Sequence, residues 1–155
     1  VGTTTYGKPV YVFPSDNTEY SITGTTTRTV LKTLTIPGTA MGTSGVLRIN
    51  TQWDISLAGN GFTPFVKFGA VDIGSISLSA DRTLMHEFYI ANRGSTTSQI
   101  INSSNMATAY TGLSTHGLKT TVNTAINQTL SFDITLGSTT ATGKLERVTI
   151  ELLQP

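Results

Sequence analysis

Apolar and polar residues alternate one by one in three stretches of the chain. Between Val46 and Ile55, Leu47, Ile49, Trp53 and Ile55 fall on one side and Arg48, Asn50, Gln52 and Asp54 on the other. Leu130, Phe132, Ile134 and Leu136 alternate with Ser131, Asp133 and Thr135. Val148, Ile150 and Leu152 alternate with Arg147, Thr149 and Glu151. Successive side chains of a strand point to opposite faces, so each stretch predicts a strand with one buried face. Weaker β patterns run over Thr29 to Ile36, Thr63 to Phe68, Gly74 to Ser79 and Thr83 to Ala91, and weaker still near Pro9 to Phe13, Ser98 to Ile101 and Lys119 to Val122. No stretch of helical length keeps a 3.6-residue period; the best, Ser103 to Tyr110, is short and polar and predicts one turn or a loop.

Turn chemistry separates these runs: Pro37-Gly38, Gly42 to Gly45, Gly59-Asn60-Gly61, Gly69, Asn92-Arg93-Gly94, Gly112 and Gly137-Ser138. Eight to ten short strands punctuated in this way predict an all-β fold, an antiparallel β-sandwich or jelly roll, and not βαβ units. The expected division is residues 1–27 as an N-terminal arm, rich in Thr and carrying Pro9 and Pro14, that pairs with a neighbour or leads from a stalk, followed by a sandwich over residues 28–155. Val1 in place of methionine suggests a piece of something longer or a processed N-terminus, and Glu151 to Pro155 has the look of a C-terminus just past a strand.

Charge narrows the function. Ten basic and nine acidic residues leave a net charge of +1 on 155 residues, and only 12% of the chain is charged. No extended field is available to recruit nucleic acid or an anionic bilayer. No apolar run approaches the ~20 residues of a membrane-spanning helix. With no cysteine, neither disulfides nor thiolate metal sites can form, so a chain that works outside a cell would depend on its core or on oligomerisation.

The search for catalytic chemistry yields little. His86 and His116 lie thirty residues apart without a shared metal-ligand spacing. His86 shares a face with Leu84, Phe88 and Ile90 and reads as a core-edge histidine, whereas His116 sits in a Gly-flanked polar loop. No Gly-x-Ser-x-Gly elbow, Ser-x-x-Lys motif or phosphate-binding glycine pattern occurs, and the glycines of Gly42-Thr43-Ser44-Gly45 serve turns. Asp72 and Asp81 could meet across a hairpin as a carboxylate pair, yet Asp81 before Arg82 reads more simply as a turn cap. Trp53 on an apolar face is expected in a core or an interface in preference to a sugar-stacking platform. Asn92 to Gly117 forms the longest stretch without a firm strand signal, and long loops on a rigid scaffold tend to carry recognition. These features point away from an enzyme, a metal and any cofactor, and towards a binding or assembly module.

Leu34-Thr35-Ile36-Pro37-Gly38-Thr39-Ala40-Met41-Gly42-Thr43-Ser44-Gly45-Val46-Leu47-Arg48-Ile49, followed by Trp53, resembles a recurring module of tail proteins from tailed bacteriophages, in which an Ile-Pro stretch, a Gly-x-x-Gly turn and a Leu-Arg-Ile strand precede a tryptophan. Phe68-Gly69, Ile90-Ala91-Asn92-Arg93 and the closing Val148-Thr149-Ile150-Glu151-Leu152 agree with it, so the resemblance covers residues 30–155. It departs at the Ile-Pro turn, where an Ala is expected before the Gly. The resemblance implies a distal domain of a tail fibre, tailspike or tail needle knob at the virion's extracellular tip. Such domains are usually homotrimers of sandwich or jelly-roll protomers, some similar in shape to tumour necrosis factor. The implied partners are two further copies of the chain and a host surface carbohydrate or outer-membrane component.

On that reading Tyr110, His116, Asn92 and Arg93 are the candidate receptor-binding residues, and Arg48, Gln52 and Asp54 the candidate trimer contacts. The alternatives are a structural trimerisation or capping knob, a needle tip that touches the membrane, a virion decoration protein and, more distantly, an enzyme fragment.

Overall fold

A computed structural model of the chain describes residues 11–13, 16–56, 61–103 and 118–153. Eleven strands run along these residues: β1 Tyr11–Val12, β2 Tyr20–Thr23, β3 Thr29–Ile36, β4 Val46–Ser56, β5 Phe62–Phe68, β6 Val71–Ser75, β7 Arg82–Asn92, β8 Gln99–Ser103, β9 Leu118–Thr120, β10 Gln128–Leu136 and β11 Thr142–Leu153. No helix occurs among the described residues. Seven strands form one sheet, with β1-β11-β4-β7-β8-β9 in order and β2 also on β11, and four form the second, β3-β10-β5-β6. Every pairing is antiparallel. The chain is a β-sandwich of jelly-roll class, as its alternation predicts.

The core lies between the sheets and is supplied by the expected faces. Leu47, Ile49, Trp53 and Ile55 of β4, Leu84, Phe88 and Ile90 of β7, and Val148, Ile150 and Leu152 of β11 meet Leu130, Phe132, Ile134 and Leu136 of β10 with Phe62, Val66 and Phe68 of β5. Apolar burial of this kind contributes about 1.5–3 kcal/mol for each large side chain. Trp53 is fully enclosed, and its indole Nε1 donates to Thr51 Oγ1 at 3.0 Å, so its polar edge is satisfied inside the core.

Three local departures follow from register. The expected strand at Gly74 to Ser79 lies earlier, at β6, and only Leu78 beyond it makes an isolated bridge, to Phe62. Tyr11–Val12 and Tyr20–Thr23, within the segment expected to be an arm, pair with the free edge of this chain's own β11. In the pairing of β11 with β4 the register slips between Leu145, opposite Trp53, and Arg147, opposite Gln52. Glu146 is the extra residue of this β-bulge. The bulge exchanges the inward parity, from Gly143 and Leu145 before it to Val148, Ile150 and Leu152 after it.

Polar clasps close the rims. On the core side of β3, Lys32 forms an ion pair with Asp16 and donates to the Tyr20 hydroxyl at 2.5 Å, while that hydroxyl donates to Asp16 Oδ2 at 2.9 Å. The edge strands β3 and β2 of opposite sheets are thereby joined. The hydrogen bond from Lys32, with others from Thr18 and Tyr20, holds the Asp16 carboxyl far below the usual range. On the outer face of the small sheet, Arg28 lies 4.0 Å over the Phe65 ring and bridges Asp72 and Asp133. Asp72 is therefore committed to Arg28.

The turn from Pro37 to Gly45 is as tight as its glycines suggest. Gly42 has φ of 53°, and a Cβ on Gly45 would lie 2.3 Å from the Met41 carbonyl oxygen, which accepts from the Gly45 amide. Backbone cannot yield there as a flexible side chain can. Gly45→Ala is expected to lower stability by about 1–3 kcal/mol, measured by urea denaturation, whereas Ser44→Ala in the exposed part of the same turn leaves it within about 0.5 kcal/mol.

Candidate functional site

The outward faces of β11, β4 and β7 form a three-by-three lattice fixed by cross-strand register. Its rows are Arg147–Gln52–Met85, Thr149–Asn50–Glu87 and Glu151–Arg48–Tyr89. Strands stand about 4.8 Å apart and residues rise about 3.4 Å, so the lattice covers roughly 10 by 14 Å. A groove of about 320 Å³ opens over it, lined by Arg48, Asn50, Thr51, Gln52, Met85, Arg147, Thr149 and Glu151.

One end of the lattice is locked. Arg48 Nε donates to Glu87 Oε2 at 2.8 Å, its Nη1 donates to Glu151 Oε2 at 3.3 Å, and the Tyr89 hydroxyl donates to Glu87 Oε1 at 2.7 Å. The Tyr89 hydroxyl and then Arg48 hold the Glu87 carboxyl below its ordinary range. The other end is open: Arg147 is exposed and Met85 is 68% exposed. Every lining side chain but one carries a polar group on a strand, and the Met85 thioether is the apolar contact beside them.

Arg48 and Gln52, expected at a subunit interface, thus belong to the groove. Asp54, the third of that set, lies one row beyond it and accepts from Thr83 Oγ1 at 3.2 Å. Of the expected receptor-binding residues, Tyr110 and His116 lie outside the described residues. Arg93 is exposed on the turn between β7 and β8. Asn92 has the inward parity of Ile90 and is buried. Its Nδ2 donates to the Gly42 carbonyl at 2.6 Å and to Thr124 Oγ1 at 2.8 Å, and its Oδ1 accepts from Gln99 Nε2 at 2.9 Å. In this arrangement the amide ties three loops together. Asn50, Thr149, Met85 and Arg147 were not singled out as site residues. For Arg147 and Thr149 the signal was the parity break between Leu145 and Val148, two apolar residues three apart with Glu146-Arg147 between, and Asn50 shares the polar face of β4 with Arg48 and Gln52.

No group of three or more His, Asp or Glu side chains among the described residues is placed to hold a metal ion. His86 lies on the core face of β7 opposite Thr51, edge-on to Phe88. Burial pushes its imidazole down to about 4, so the folded protein keeps it neutral at neutral pH.

An unfolded chain takes up that proton below about 6.5. The stability due to neutral His86 is therefore complete above pH 6.5 and is lost as pH falls towards 4. Urea denaturation is expected to show a loss of about 2 kcal/mol between pH 7 and 5, and His86→Gln flattens that slope whatever its effect on stability at pH 7.

No family model matches the chain, and no curated protein does. Among solved structures it is similar to lectin I from Ulex europaeus in complex with the methyl glycoside of α-L-fucose, at 9% identity and a TM-score of 0.44, covering 94% of this chain and 92% of that one. It is similar to basic winged bean lectin with Tn-antigen at 9% identity and a TM-score of 0.39, covering 95% of this chain and all of the other. The CBM2 module of the evolved Dit of Lactobacillus casei BL23 phage J-1 aligns at 10% identity and a TM-score of 0.38, over 77% of this chain and 67% of the module. Similarity this remote says nothing about what this chain binds.

Proposed function

We propose that the domain is a non-catalytic binding module that takes a hydroxyl-rich ligand, a cell-surface glycan, in the groove over β11, β4 and β7. The observation that carries this reading is the lattice itself. A sugar hydroxyl both donates and accepts, and Asn, Gln, Thr, Arg and Glu side chains at fixed cross-strand spacings satisfy such groups in pairs. Rigid strands fix their backbones, so binding has only side-chain rotamers to order. The volume falls at the lower end of small-ligand sites. At about −0.3 kcal/mol per non-hydrogen atom, a monosaccharide of roughly 12 such atoms gains ~4 kcal/mol, a Kd on the order of 1 mM. Useful avidity would then come from several copies acting together, which suits the homotrimeric tip of a phage tail fibre, tailspike or needle. That setting is supported by the resemblance over residues 30–155 and places the domain on the extracellular virion surface, at the host's surface carbohydrate.

A second reading competes for the same face. Arg48 and Gln52 can instead be subunit contacts, with Asp54 beside them, in a structural trimerisation knob, and the exposed Met85 in their midst favours a covered surface. The two uses exclude one another and Met85→Arg separates them. Under glycan binding, light scattering gives the same mass before and after the substitution, near three times 16.5 kDa for a trimer, while ligand-induced shifts of groove resonances disappear. Under the interface reading the mass falls to that of one chain. A glycan titration that moves no groove resonance sinks the first reading.

A further inference from the structure

Resting on the reading of the groove as a saccharide site, we propose that its ligand is an acidic sugar whose carboxylate binds Arg147. Three features of the lattice carry this. The charge of Arg48 is already committed to Glu87 and Glu151, so that end offers an anion two carboxylates against one guanidinium. Arg147 is within 4 Å of no carboxylate among the described residues and is exposed at the opposite end. The bulge at Glu146 is what turns Arg147 outward, because the uninterrupted parity of Gly143 and Leu145 would have sent position 147 into the core. The groove is thus electrically asymmetric along its length: Arg48 at one end is neutralised by Glu151 in its own row and Glu87 in the next, while Arg147 at the other end carries its charge without such a pairing among the described residues.

A guanidinium presents paired donors that match the two oxygens of a carboxylate. The Gln52 amide, directly across from Arg147, adds a further donor within the same row. From there a sugar ring lies over Asn50 and Thr149, whose neutral groups meet its hydroxyls. A glycan with its acid at one edge and hydroxyls at the other fits in one direction only, and a neutral sugar leaves Arg147 unused.

Methyl glucuronide, methyl glucoside and a sulfated glucoside, each titrated into protein labelled at its methionine methyl groups, provide the test. Met85 reports the groove and Met41, buried in the core, serves as the control. Expected are a shift of Met85 alone and an affinity for the glucuronide at least fivefold above that for the glucoside. Arg147→Ala should lower the affinity for the glucuronide at least fivefold and that for the glucoside much less, so that the two become alike, and Arg147→Lys should restore part of the preference. Equal binding of acidic and neutral sugars, unaffected by Arg147→Ala, overturns the acidic ligand and leaves the glycan groove standing. Sulfated sugar binding as tightly as the glucuronide overturns the carboxylate in favour of a general anion site. Absence of any Met85 shift with all three overturns both readings.

Discussion

One inserted residue in β11 sets the polarity of the large sheet. Before Glu146 the inward positions of β11 are Gly143 and Leu145; after it they are Val148, Ile150 and Leu152. In an unbroken strand Arg147, Thr149 and Glu151 would lie on the core side opposite Thr51, Ile49 and Leu47, which a core cannot accept without large desolvation costs. The bulge removes that conflict at the cost of one unpaired ladder position. It also creates the outward lattice, because Arg147, Thr149 and Glu151 come to lie beside Gln52, Asn50 and Arg48 only in the slipped register. Core and groove are therefore two consequences of the same irregularity.

Charge is scarce in this chain, and where it occurs it is mostly spent on closure. Lys32 with Asp16 and Tyr20 joins the edges of the two sheets, Arg28 with Asp72 and Asp133 covers Phe65, and Lys144 reaches Glu19 across β11 and the segment before β2. The exposed pairs, Arg28 with Asp72 and Lys144 with Glu19, contribute little individually; the more covered Lys32 acts through geometry as well, since an inward-pointing Lys32 makes the β3 edge a poor template for another strand. At one end of the sandwich the buried Asn92 amide holds the turn before β4, the turn after β7 and the loop before β10 in one arrangement. A neutral amide suits that place because it both donates and accepts without the cost of burying a charge.

The strands were legible wherever apolar residues alternate in the sequence, as in β4, β7 and β10, because period two is a property of one strand alone, whereas the burial of Ser131 and Asp133 on the second face of β10 depends on its neighbours in the sheet. The core roles of Trp53 and His86 followed from the same parity. β2 was not legible: Tyr20–Thr23 has too few large apolar residues to mark a strand, and its pairing depends on a β11 edge more than a hundred residues away. The groove was half legible. Arg48 and Gln52 stood out on the polar face of β4, yet their neighbours come from β7 and β11, and that juxtaposition requires the sheet order. Asn92 looked like a loop residue by its company of Arg93 and Gly94, although its parity with Ile90 already placed it on the buried side.

A recognition surface built on a sheet face differs physically from one built on loops. Loop sites adapt to a ligand and lose conformational freedom as they do so, whereas each lattice side chain here is anchored on a strand paired on both sides. The rigidity limits shape: a nearly flat lattice cannot enclose a ligand, so under the proposed binding role affinity per site would be low and discrimination would come from the order of donors and acceptors along the rows. In this lattice that order is asymmetric, with a neutralised guanidinium at one end and, at the other, one that has no carboxylate within 4 Å among the described residues. Asymmetry of charge on a fixed grid favours one orientation of a ligand over its reverse, which is how a shallow site gains specificity without depth.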